Sequence, residues 1–90
     1  MVVTGAHIRA ARGLVGWSQS ELAERAGIVR ATVAAFEQGS GISRASVGAI
    51  VRALERVGVV VSGDETWIAV GIKRADLEQL QGEPADGGGT

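Results

Sequence analysis

The sequence predicts a mainly α fold: four helices followed by a C-terminal β-hairpin, built around one small core. Three observations lead there. Ninety residues with 46% hydrophobic and 21% charged side chains have the balance of one globular domain. Up to Val57, apolar residues recur at helical spacing in segments bracketed by capping side chains and glycines. Beyond Gly58 the period drops to two on either side of a turn-forming Ser62-Gly63-Asp64-Glu65. Only Trp17, Phe36 and Trp67 are aromatic, so the core must be made of Val, Ile, Leu and Ala. A core of that size points to modest stability or to a partner that shares the burden.

Each element follows from its own start and stop signals. Thr4 caps the first helix, with Val3 and Ile8 placed as a hydrophobic staple; Ile8, Ala11, Leu14 and Val15 keep the helical period, and Gly16 ends it. Ser18-Gln19-Ser20-Glu21 is a capping box that opens the second helix, stapled by Trp17 and Leu22 and stopped by Gly27. A third helix is predicted from about Arg30 to Glu37, burying Val33 and Phe36, with Gly39 closing it. The fourth begins at Ser43, turns Val47, Ile50, Val51, Leu54 and Val57 inward, and stops at Gly58. In the hairpin, Ile68, Val70 and Ile72 share one face of the second strand, while Trp67, Ala69 and Gly71 share the other. Arg74 to Gln81 is expected to add a last helical turn, and Gly82 to Thr90 to be disordered. The organisation is therefore residues 1–58 as the helical domain, 59–74 as the hairpin and 75–90 as a helical turn and tail.

Composition removes several classes of function. Without cysteine there is no disulfide framework and no thiolate zinc site, and a single histidine, His7, cannot assemble a metal site; we expect no metal, no cofactor, and an exposed His7. Apolar runs such as Val57 to Val61 are far too short to span a bilayer. A reducing, cytoplasmic setting and no membrane partner follow. No nucleophile with a base, carboxylate pair in a cleft or strand-borne phosphate loop is visible, so an enzyme is not expected. The net charge of −1 hides an asymmetry. Residues 1–58 hold seven arginines against four glutamates, whereas residues 59–90 hold Lys73 and Arg74 against six carboxylates. A basic first part suits a polyanion.

Ala26-Gly27-Ile28-Val29 is a short glycine-containing turn of the kind that sets two helices near a right angle in a helix-turn-helix. Here the sequence becomes specific. Residues 8–39, IRAARGLVGWSQSELAERAGIVRATVAAFEQG, resemble the helix-turn-helix of the Cro- and phage-repressor-like transcription regulators, the XRE family. The Trp-Ser-Gln-x-Glu-Leu-Ala start, the Ala-Gly turn and the Phe-Glu-x-Gly end are all in register.

The resemblance implies that the third helix lies in the major groove of double-stranded DNA while the second crosses the phosphate backbone. Arg30, Ala31 and Ala35 are then placed at base edges, with Thr32 reaching a base or a phosphate. Arg30 suits the O6 and N7 of guanine, and the alanine methyls suit thymine. Ser18, Gln19, Gln38, Ser40 and Arg44 are placed at phosphates, with Gln19 also bracing Arg30. Arg12 and Glu37 match a structural ion pair of the family. Trp17 is read as core, and Arg52 and Arg56 as a solvated face of the fourth helix. Two departures from the family pattern stand out. Val29 occupies the place of a Ser or Thr cap, and Ala35 that of a longer polar side chain, so the direct base code thins to one arginine.

Two functions remain open at this stage. The first is a sequence-specific, homodimeric repressor of a bacterial or phage-like cell, associated with the nucleoid, bound to an inverted repeat and dimerised through Val60, Trp67, Ala69 and Val70. The second is a protein-interaction module of antitoxin or antiactivator type, whose acidic C-terminal segment binds a protein partner.

Overall fold

The computed structural model describes residues 2–81. It contains α1 (Gly5–Val15), α2 (Gln19–Ala26), α3 (Arg30–Glu37), α4 (Arg44–Glu55), β1 (Val59–Gly63), β2 (Ile68–Ile72) and α5 (Arg74–Gln81). The expected architecture is present, with one addition. The segment from Arg74 forms a helix of eight residues rather than a single turn. The expectation for Gly82 to Thr90 lies outside the described residues.

The caps set the helix ends. Thr4, Ser18 and Ser43 each accept a backbone N–H bond from the residue three positions on, satisfying a donor that the first turn would leave orphaned. Glu21 completes the capping box of α2 by accepting from the Ser18 N–H at 2.8 Å. At the other end, Gly27 adopts φ 72°, and the Ile28 N–H turns back to the Ala23 carbonyl at 3.0 Å. This Schellman closure needs a residue that tolerates the left-handed region.

Ile8, Ala11 and Val15 of α1, Leu22 and Ala23 of α2, Val33 of α3, Ile50, Ala53 and Leu54 of α4, and Val59 of β1 form one buried cluster with Trp17. Trp17 is buried, and the Arg25 guanidinium lies 4.3 Å from its ring centroid, a cation–π contact that covers the indole from the solvent side. The hairpin is antiparallel, with Val60 opposite Gly71 and Ser62 opposite Ala69. Its inner face carries Val59, Val61, Val70 and Ile72 against the helical core. The outer face carries Val60, Ser62, Ala69 and Gly71, all exposed. The hairpin leans on α1 and α4, whereas α3 leans on α1 and α2.

His7 departs from expectation. It is fully buried rather than exposed. Its Nδ1 accepts from the Thr4 N–H at 3.0 Å, completing a capping box in which histidine takes the usual place of Glu or Gln. Its Nε2, which must then carry the proton, donates to the Ser62 carbonyl at 2.7 Å. One imidazole thus ties the start of α1 to β1. Among the described residues, no helix is long and apolar enough to cross a membrane.

Candidate nucleic-acid interface

The placement of α3 rests on one buried carboxylate. Glu37, at the last turn of α3, accepts from Arg12 Nε at 2.6 Å, from Arg12 Nη2 at 2.8 Å and from Gln19 Nε2 at 3.2 Å. Arg12, Gln19 and Glu37 belong to α1, α2 and α3, so this cluster fixes the helix-turn-helix against the first helix. Arg9 adds a bond from Nη1 to the Glu37 carbonyl at 2.8 Å, and Arg12 Nη1 donates to the Trp17 carbonyl at 3.0 Å. Burial pushes the Glu37 carboxyl up, but the hydrogen bonds from Arg12 and Gln19 and the charges of Arg12 and Arg9 outweigh it and hold the group below the usual carboxylate range. The bond to Glu37 raises the Arg12 guanidinium in turn. The structural pair anticipated from the sequence is therefore present.

Gly5 brings α1 and α3 closer still. A Cβ there would lie 2.3 Å from the Phe36 carbonyl oxygen, so only glycine allows the start of α1 to meet the end of α3. Neither this approach nor the role of Arg9 was signalled by any sequence pattern.

With Val33 and Glu37 buried and Phe36 half-buried, α3 turns Ala31, Ala35 and Gln38 to the opposite side, spaced by four and three residues. Arg30 and Ala31 are exposed at the N-terminal end, while Thr32 and Ala35 are half-buried. Among the described residues, Arg30 and Arg44 form no side-chain ion pair. Gln38 and Ser40 are exposed in the turn after α3, and Arg44 is exposed at the start of α4. Ser18 is exposed at the cap of α2, its Oγ occupied by the Glu21 N–H at 3.0 Å. Gln19 braces Glu37 and not Arg30. Val29 precedes α3 with extended backbone, φ −82° and ψ 149°, and offers no side-chain cap, as its apolar chemistry dictates.

Two short helices joined by a Schellman turn, the first capped beside the second and the second held by its last residue with an open N-terminal half, define a DNA-binding helix-turn-helix. The chain matches the helix-turn-helix family model over residues 8–59, more than half its length, and belongs to that family, the Cro- and phage-repressor-like or XRE type. It is a DNA-binding helix-turn-helix regulator. No curated protein matches the chain significantly.

Of the four residues expected to join two protomers, Val60, Trp67 and Ala69 are exposed. Val70 points the other way, half-buried against the core. It shares the inward face with Ile72 because side chains alternate along the strand.

Proposed function

We propose that the protein is a homodimeric, sequence-specific repressor that occupies a promoter or operator, with α3 of each protomer in the major groove. In this reading residues 1–58 bind DNA and residues 59–74 join the two protomers, in the nucleoid of a bacterial or phage-infected cell. Arg30, Ala31, Thr32 and Ala35 meet base edges; Ser18, Gln19, Gln38, Ser40 and Arg44 meet phosphates.

One observation carries the dimer: the outer hairpin face is exposed and, at its paired positions, uncharged, with Trp67 at 73% and Val60 at 62% exposure. Two copies of such a face meet without burying a charge, and a two-fold axis is the simplest arrangement of identical patches. The hairpin leans on α1 and α4 and α3 on α1 and α2; in this reading the outer hairpin face is covered while α3 stays open. A two-fold pair would place recognition helices about 34 Å apart, one turn of DNA, and so select an inverted repeat.

Selection from a random duplex pool followed by footprinting tests this reading. A palindromic site protected on both halves is the expected result, with affinity falling as salt rises at a log-log slope of about −0.9 per phosphate neutralised. A protein that selects no site, or a single asymmetric half-site, contradicts it. A monomer in solution would return the outer hairpin face to the alternative of a different protein partner.

A further inference from the structure

Three of the first four helices begin with a side-chain cap: Thr4, Ser18 and Ser43. The exception is the recognition helix, which begins at Val29 without one. Val29 is also 67% exposed, one of the few large apolar side chains left in water. Either feature alone is unremarkable on a surface, but together they are costly. The site gives up a stabilising cap in order to display two methyl groups beside Arg30 and Ala31.

The backbone explains where those methyls go. Gly27 and the Ile28 N–H bond close α2, and Ile28 packs on the core. Val29, next in an extended conformation, is therefore turned out at the N-terminal end of α3. That end is the part of a recognition helix that meets base edges. Along the outward side of α3 the side chains are Ala31, Ala35 and Gln38, so Val29 is the largest apolar group on offer. In the major groove, the apolar feature that distinguishes one base from the others is the C5-methyl of thymine.

We infer that Val29 is a specificity-determining residue that reads a thymine by apolar contact with its 5-methyl group, next to the base recognised by Arg30. This rests on the reading of α3 as the major-groove helix. It adds a letter to a code in which Arg30 supplies the hydrogen-bonding part.

The test uses the full-length protein and the duplex it selects from a random pool. Each thymine of that duplex is replaced in turn by deoxyuridine, which removes only the 5-methyl. For the wild type, one replacement per half-site should weaken binding about fourfold, the worth of one buried methyl-sized group. For Val29→Ala and Val29→Ser the same replacement should have no effect, while responses at the other thymines stay as in the wild type. Val29→Thr keeps one γ-methyl and should keep part of the response.

A second measurement separates recognition from folding. Val29→Ser restores a cap and should raise the melting temperature by about 4–8 °C while lowering affinity for the thymine duplex. A purely structural residue would move both in one direction. If no deoxyuridine replacement weakens the wild type, or if its effect persists in Val29→Ala, the inference is wrong while DNA binding stands. If the wild type binds no duplex at all, the major-groove reading fails and takes this inference with it.

Discussion

Arg12 and Glu37 meet as a two-pronged pair, Nε to Oε2 and Nη2 to Oε1, and so lock the last turn of α3 to α1. The Glu37 side chain is only 3% exposed, which makes the pair a structural element rather than a surface contact. Removing either partner strands a buried charge. Arg12→Ala should therefore cost about 3 kcal/mol of folding stability, and α3 should lose its fixed orientation for DNA.

The same pair sets a dependence on pH. The Glu37 carboxyl lies below its usual range in the folded protein, so the unfolded chain binds its proton more readily. Its contribution is complete above the ordinary glutamate value of about 4.3 and is lost as pH falls through the depressed folded value. Urea unfolding at a series of pH values should show a constant gap between wild type and Glu37→Gln above about pH 5, closing in acid. A gap that stays constant down to pH 3 would show that the carboxylate charge is not what stabilises α3.

The elements were legible where their signals are local. Capping side chains and following glycines lie within four residues of the ends they mark, so α1 to α4 and both strands could be placed from sequence. His7 could not, because its partner Ser62 is 55 positions away and only the fold brings a carbonyl to its Nε2. Gly5 is similar, since the residues it approaches belong to α3. The resemblance implies that Gln19 braces Arg30, but the packing of α2 on α3 directs its amide to Glu37. Alternation groups Val70 with Ile72, but only the packing of the hairpin on the helices shows that this face is the inward one. The exposure of the Val29 methyls follows from Ile28 taking the buried place in the turn, a choice that no local signal marks.

His7 gives a second stability prediction. It accepts from the Thr4 N–H and donates to the Ser62 carbonyl while fully buried, so His7→Ala loses both bonds and leaves a cavity. A loss of about 2 kcal/mol is expected, measured as a lower denaturation midpoint with little change in slope. His7→Gln keeps an acceptor for the Thr4 cap and should fall between the two. Equal stability of all three proteins would mean that the hairpin is not anchored through this residue.

Arg30 and Gln19 should separate recognition from support. Arg30→Ala is expected to reduce discrimination at one guanine per half-site by about 1–3 kcal/mol, with little effect on stability because the side chain is exposed. Gln19→Ala removes a bond to Glu37 as well as a proposed phosphate contact, so it should weaken all duplexes evenly and lower stability by about 1 kcal/mol. Competition binding against the selected site and against random duplex distinguishes them. Equal losses on both duplexes for Arg30→Ala would assign this arginine to the phosphate backbone.

The hairpin prediction needs variants chosen by face. Val70 packs inward, so a charge there would damage the core and confuse assembly with folding. Val60 and Trp67 are exposed, and changing them should leave the protomer intact. The register sets Val60 opposite Gly71 and Ser62 opposite Ala69, a low surface on which a second hairpin can lie closely, with Trp67 just before the start of β2 available to cover it. A Val60→Asp, Trp67→Ser protein should therefore fold as judged by circular dichroism but run as a monomer in light scattering at micromolar concentration, where the wild type runs as a dimer. Because two half-sites are then bound independently, its affinity for the inverted repeat should fall by a factor of about 100 or more while its affinity for an isolated half-site is retained. A wild type that is monomeric under these conditions and still protects both half-sites as independent units would show that the outer hairpin face does not hold two protomers together.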